Sequence, residues 1–427
     1  MLNSFSVQNF RSILDLKLDF SYGEGKAPNG YLDQEIMPFI EAPQQRRLVP
    51  CMAFFGANAS GKTNILKAIR ALKDLLLEGG KLSDSYDPNL LNPKFHNTTL
   101  AAEFFTGGEL YQYQITFNAK EICNESLVKN GKAIFVIKHL KADFSPQILS
   151  STYSEEKLSD ILRVECSDGE GRQTKLFLHR IGHAYSGLHS DLRSTFVYFD
   201  QLVYYGNEQA IPLPFAVHLL SLTIGGDEAA ALREITDIVR RLDIDIAGID
   251  IVQKELAPDE KTHRGLMKID RKTGAQHAVQ ITSTHKDIAG NPALFDFMKH
   301  ESAGTQRLAG LVSLILYTLK TGNVLLVDEL ECSLHPLLMR EIVLQFKKRR
   351  INNLGAQLIV TTHNTDILDD SILRLSEIAL VRKTTANGTL VRRLIDIKKD
   401  GEDVRNVTNF RKQYLAGFYS GIPHPAL

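Results

Sequence analysis

The chain is 427 residues long, with 43% hydrophobic and 23% charged residues, ordinary globular values that exclude a disordered chain, a collagen and a coiled-coil fibre. At about 100–200 residues per domain, the length admits roughly two to four domains or one large domain carrying an insertion. Fifty Lys plus Arg offset fifty Asp plus Glu, so no whole-molecule field draws nucleic acid, and DNA binding would need a local site.

In chain order, Leu14, Leu16, Leu18 and Phe20 alternate with Asp15, Lys17 and Asp19, which predicts a strand and not the apolar core of a signal peptide. A polar stretch with Gly23, Gly25, Pro28 and Gly30 leads to a second strand, Leu48 to Phe55. A helix is expected from Thr63, because Leu66, Ile69, Leu72, Leu75 and Leu76 recur at helical spacing before Gly79-Gly80. Then the period changes. Leu100 to Phe105 and the alternating Tyr111, Tyr113, Ile115 and Phe117, parted by Gly107-Gly108, predict a hairpin, with further strands at Glu125 to Val128 and Ala133 to Ile137. Asp227 to Val252 reads as helical through Ala230, Ile235, Ile238 and Leu242. Val324 to Val327 and Leu358 to Val360 are continuous apolar runs, as in a parallel sheet buried on both faces.

The expected fold is thus α/β, one domain interrupted by a mixed α/β-helical insertion. Its segments are 1–80, 81–295 (β-rich, then mainly helical) and 296–427. Cys51, Cys123, Cys166 and Cys332 are scattered, and Cys332 with His335 lacks a second ligand pair, so neither disulfides nor structural zinc are expected. Leu308 to Leu319, broken by Ser313 and Thr318, is too short to span a bilayer. A cytoplasmic protein with no membrane partner is expected.

Gly56-Ala57-Asn58-Ala59-Ser60-Gly61-Lys62-Thr63 matches the phosphate-loop pattern G-x-x-x-x-G-K-[ST] between a strand and a helix. Glycines let backbone N–H groups and the helix start, including Asn64, face phosphate oxygens. Lys62 balances their charge, and Thr63 offers a hydroxyl to Mg²⁺. Val324-Leu325-Leu326-Val327-Asp328-Glu329 is an apolar strand delivering two acids at its C-terminal end, where open α/β sheets bind ligands. Asp328 is expected to hold Mg²⁺, and Glu329 to orient the attacking water as catalytic base. The cofactors expected are ATP and Mg²⁺.

Downstream stand Ser333-Leu334-His335-Pro336 and Thr361-Thr362-His363-Asn364; upstream stands His300-Glu301-Ser302-Ala303-Gly304-Thr305-Gln306. In this order the set resembles the signature, Walker B, D-loop and H-loop series of ABC-type ATPases, and it implies an ABC-type head: a P-loop sheet with an antiparallel β-subdomain. The resemblance implies that Ser302, Gly304 and Gln306 meet nucleotide held by another copy, and that His363 contacts the γ-phosphate catalytically from within its own subunit. Ala303 departs from the usual glycine, and Thr305 is inserted before Gln306.

The stretch between Thr63 and Ser302 lacks the sustained heptads of SMC-type proteins. With Phe5-Ser6-Val7-Gln8-Asn9-Phe10-Arg11-Ser12 at the start and Tyr414, Gly417, Tyr419 and Pro423 at the end, the chain resembles RecF-like and OLD-like ATPases, most closely the bacterial anti-phage RloA/AbiLi/AriA type. That resemblance implies an ATP-hydrolysing sensor and scaffold that assembles with itself head to tail and holds an effector nuclease encoded by a neighbouring gene. The alternatives are a RecF-like repair ATPase that closes on DNA and a non-hydrolysing nucleotide-gated module.

Too few residues follow Ile372 for a Toprim nuclease domain, and Asp366, Asp369 and Asp370 read as a solvated turn. Lys347-Lys348-Arg349-Arg350 reads as the cationic end of a helix, or alternatively as a phosphate-binding patch. The basic stretch from Lys261 to Lys286, with Gly265 and Gly274, reads as a solvated hairpin, or alternatively as a DNA-contacting surface. Gln112, Gln114 and Gln201 remain alternative Q-loop glutamines.

Overall fold

The computed structural model describes residues 1–23, 36–37, 39–91, 95–150, 153–184, 188–206, 213–241, 246–255, 266–269, 276–332, 334–369, 371–399, 402–403 and 410–417. They form two compact units. The first comprises Met1–Tyr204, Gly322–Leu330 and Arg340–Leu427; the second, Tyr205–Thr321 and Glu331–Met339. This division differs from the three sequence segments: the β-rich stretch groups with the phosphate loop, and the helix following Ser302 groups with the insertion.

The first unit is built on a large sheet whose order runs through Lys141–Phe144, Lys132–Lys138, Ile122–Lys129, Glu109–Phe117, Thr98–Thr106, Leu2–Phe10, Ile13–Asp19, Gly388–Arg393, Ile378–Thr384, Cys51–Phe55, Gln357–Thr362, Val324–Val327 and Val203–Tyr205. Its early part is antiparallel. There the predicted alternation holds: Tyr111, Tyr113, Ile115 and Phe117 are buried, while Gln112 is exposed and Gln114 partly so. Gly107 and Gly108 both take positive φ, 57° and 83°, as a tight two-residue hairpin turn requires.

The strands Ile378–Thr384, Cys51–Phe55, Gln357–Thr362 and Val324–Val327 are instead parallel neighbours. Every residue of the last three is buried, which explains the unbroken apolar runs Leu358 to Val360 and Val324 to Val327. Pro50 ends the preceding short strand Arg46–Leu48, so the single strand expected over Leu48 to Phe55 is two.

The helix Lys62–Glu78 buries Ile65, Leu66, Ile69, Leu72, Leu75 and Leu76 and ends on Gly79 at φ 58°. It packs with the helices Phe177–Ala184 and Ser190–Gln201. Phe104 stacks on Tyr198 at a centroid separation of 4.1 Å within this core. Glu125, fully buried, accepts N–H groups of Phe177 at 2.7 Å and Leu178 at 2.9 Å, plus the Tyr113 hydroxyl and the Gln173 amide, each at 3.0 Å. It thus tethers a helix start to the antiparallel strands. Burial nevertheless raises its carboxyl to about 7.

The second unit contains the helices Leu213–Leu222, Glu228–Arg241 and Ala303–Thr321 and an antiparallel sheet of Gly248–Glu255, Gln276–Lys286, Leu266–Ile269 and Pro292–Asp296. The helical reading up to Val252 therefore overran. The described helix is Glu228–Arg241, and Gly248–Glu255 is a strand in which Ile249 and Ile251 flank Asp250, a period of two; Leu242 lies outside the described residues. In the basic stretch, Leu266–Ile269 pairs with Gln276–Lys286 as a hairpin would, and Gly265 and Gly274 lie outside the described residues.

Lys347 ends the helix Pro336–Lys347, as expected of the basic run. It is wholly buried, 2.5 Å from the equally buried Glu377, and its ammonium also donates to Ile372 O at 2.6 Å. No helix among the described residues is long and apolar enough to cross a membrane. The four cysteines are free.

Candidate active site

Sheet order assembles the site in the first unit. The loop strand Cys51–Phe55, the threonine strand Gln357–Thr362 and the acid strand Val324–Val327 are adjacent and parallel, with Thr362 level with Phe55 and Val327 level with Val360. Their C-terminal ends therefore bring the phosphate loop, His363 and the pair Asp328-Glu329 to one edge.

The loop needs its glycines. A Cβ on Gly56 would lie 2.3 Å from Val381 O, and one on Gly61, at φ 101°, would lie 2.0 Å from Thr389 Oγ1. Asn58 and Ala59 stand exposed, with Ala59 at φ 59°, while Ser60 is buried. Lys62 is also buried, and its ammonium donates to Gly56 O at 2.9 Å and Ala57 O at 3.0 Å. Ser60 Oγ is buried without a hydrogen-bond partner, an orphaned group that suits an incoming phosphate oxygen.

Thr63 Oγ1 donates to Asp328 Oδ1 at 3.0 Å. The two residues supply hard oxygen donors at one point, which fits a small divalent cation such as Mg²⁺. Thr361, fully buried, donates through Oγ1 to the same Asp328 oxygen at 2.6 Å and accepts the Glu329 N–H at 2.8 Å. Glu329 itself takes φ 51°, the left-handed region.

Outside the loop, Asn64 donates to Ser12 Oγ at 2.8 Å, Ser12 shares a hydrogen bond with Thr389 Oγ1 at 2.7 Å, and Thr389 Oγ1 donates to Ser60 O at 3.1 Å. His363 is exposed just beyond the threonine strand. Sequence reasoning did not assign roles to Thr361, Ser12 or Thr389. The available signal was a hydroxyl residue ending an otherwise apolar strand.

The second unit carries the other motif residues. Ser302 is exposed and precedes the helix Ala303–Thr321; its Oγ accepts the Thr305 N–H at 3.1 Å and shares a hydrogen bond with Thr305 Oγ1 at 2.9 Å. The inserted Thr305 thus completes a helix start. Gly304 lies half-buried in the first turn. The amide of Gln306 turns inward, donating to Glu301 O at 3.0 Å, Met298 O at 3.2 Å and Phe297 O at 3.4 Å.

His335 precedes the helix starting at Pro336 and accepts the Leu337 N–H at 3.3 Å; Ser333 lies outside the described residues. Asp366 pairs with Arg411 at 2.8 Å and Asp369 accepts the Ser371 N–H at 2.8 Å, as a surface turn would. Asp370, Tyr419 and Pro423 lie outside the described residues. Among the described residues no three His, Cys, Asp or Glu side chains group as a metal site.

Two solved structures cover nearly the whole chain at low similarity. One is the SMC head domain from Thermotoga maritima, 13% identical with a TM-score of 0.40 over 93% of this chain and 99% of that one. The other is an SmcHead bound to the C-winged helix domain of ScpA, also 13% identical, with a TM-score of 0.41 over 92% and 98%. Both are too distant to say anything further about this chain. No curated protein matches it. Residues 51–369 match the family model for an AAA domain described as a putative AbiEii toxin of a Type IV toxin–antitoxin system, and the chain belongs to that family.

Proposed function

We propose that the chain binds ATP with Mg²⁺ at the phosphate loop and hydrolyses it. The observation that carries this reading is the junction of two distant motifs, Thr63 Oγ1 against Asp328 Oδ1 at 3.0 Å. Backbone N–H groups of the loop, the helix start and the Lys62 ammonium bind and orient the phosphates. Thr63 and Asp328 would hold Mg²⁺, which would supply charge withdrawal from the phosphates. Glu329 orients a water whose oxygen bonds to the γ-phosphorus as the bond to the bridging oxygen of the ADP leaving group breaks, and it takes up the water's proton. His363, from the same edge, steadies the γ-phosphate.

Glu329→Gln is expected to lower turnover by about 10²- to 10³-fold while ATP binding survives, measured by phosphate release and by nucleotide titration. Equal turnover in both proteins would sink the hydrolytic reading.

In the cell, this ATPase serves as sensor and scaffold of an anti-phage system. It assembles head to tail through ATP and controls an effector nuclease encoded next to it. The family's description as one member of a toxin–antitoxin system supports a two-component arrangement, and the resemblance of the motif series supports the shared nucleotide. Co-expression with the neighbouring gene product followed by ATP-dependent co-purification is the test. Separate elution with and without ATP would count against it. ATP-dependent, salt-sensitive DNA binding by the isolated chain would favour the repair ATPase instead.

A further inference from the structure

We propose that Thr361 is a positioning residue that sets both acids of the site through its single hydroxyl. The proposal rests on the hydrolytic reading given above for Asp328 and Glu329. A hydroxyl has one proton to give and lone pairs to receive. At Thr361 the proton goes to Asp328 Oδ1 at 2.6 Å, a short bond of the charge-assisted kind, and a lone pair takes the Glu329 N–H at 2.8 Å.

Because Thr361 is 0% exposed, no water stands ready to replace either bond. The main chain adds a third tie, Leu330 N to Thr361 O at 3.1 Å. Glu329 is thereby pinned on both sides while holding φ 51°, a conformation that crowds Cβ and persists only where surroundings impose it. Thr361 thus fixes the Asp328 oxygen that also receives Thr63, and it fixes the backbone from which the Glu329 carboxylate departs. Serine keeps this chemistry; valine keeps the volume and loses it.

The experiment compares wild type, Thr361→Val, Thr361→Ser and Glu329→Gln in ATP turnover and in the Mg²⁺ dependence of ATP binding. Thr361→Val is expected to lower kcat about 30-fold with KM for ATP within about threefold, and to raise the half-saturating Mg²⁺ about tenfold. Thr361→Ser is expected to recover both to within about threefold of wild type. A Val variant within twofold of wild type on both measures overturns the proposal, as does a Ser variant as impaired as Val. If wild type and Glu329→Gln turn over ATP equally, the hydrolytic reading fails, and the Mg²⁺ titration of ATP binding still decides the role of Thr361. Should Val not fold, Thr361→Ala carries the same comparison.

Discussion

Around Lys62, Thr63 and Asp328 the first unit supplies its own partners: loop carbonyls for the ammonium, one threonine on either side of the aspartate, and the Asn64–Ser12–Thr389 chain behind the loop. Ser302, in the second unit, stands exposed at a helix start, and among the described residues its hydroxyl bonds only within its own helix start. The charges follow the same contrast. Lys347 and Glu377 are both fully buried, whereas Lys320 and Glu234 of the second unit pair at 3.1 Å with about a third of each side chain exposed. In one unit the motif side chains are held by buried partners from distant parts of the chain, while in the other the motif serine stands at the surface with partners from its own turn.

Removing charge from each unit tests this difference most directly. Lys347→Met leaves the Glu377 carboxyl buried without its cation and is expected to cost about 3–5 kcal/mol in denaturant unfolding. Lys320→Met should cost no more than about 1 kcal/mol. Similar costs would erase the distinction.

A pH series sharpens it next. The Glu125 carboxyl is raised from 4.5 to about 7 in the folded chain, so the native state holds that proton more tightly than the unfolded one. Its contribution is full below about 4.5 and is lost as pH rises through about 7, on the order of 3 kcal/mol. The stability difference between wild type and Glu125→Gln should fall by that order across the window, read from unfolding curves at each pH; a flat difference would contradict it.

Ser302→Arg should reduce turnover about 10- to 100-fold and abolish its dependence on protein concentration, while ATP binding to a single chain is retained. Loss of binding in dilute protein would place Ser302 in the same copy's site. Smallest is Gln306→Ala, expected to cost about 1 kcal/mol, because the Gln306 amide serves carbonyls of the preceding turn. A turnover loss as large as that of Ser302→Arg, with stability unchanged, would return Gln306 to the nucleotide.

The loop and the acid strand were legible in the sequence because local chemistry dictates both: glycines where Cβ cannot fit, and apolar runs where both faces are covered. The hairpins were equally legible from alternation and Gly107-Gly108. Thr361 was not, because its role depends on register between strands far apart in the chain, and a threonine next to the end of a strand has many uses. Lys347 was legible as a helix-end cation, but its buried partner was not, because Glu377 reaches it only through the tertiary fold. The strand Gly248–Glu255 was missed because Ile249 and Ile251 satisfy a helical pattern loosely and a strand pattern fully.

The segment Gly322–Leu330 belongs to the first unit, while the chain on either side of it, through Thr321 and from Glu331, belongs to the second. Asp328 and Glu329 are therefore wired in series with the second unit at both ends, by covalent chain. Two backbone turning points bracket the span: Gly322 at φ 68°, where a Cβ would lie 2.6 Å from Leu354 O, and Glu329 at φ 51°. Between them lies the four-residue strand Val324–Val327, buried throughout and paired in parallel with Gln357–Thr362, so the acids take their position from the sheet of the first unit although the chain enters and leaves them through the second.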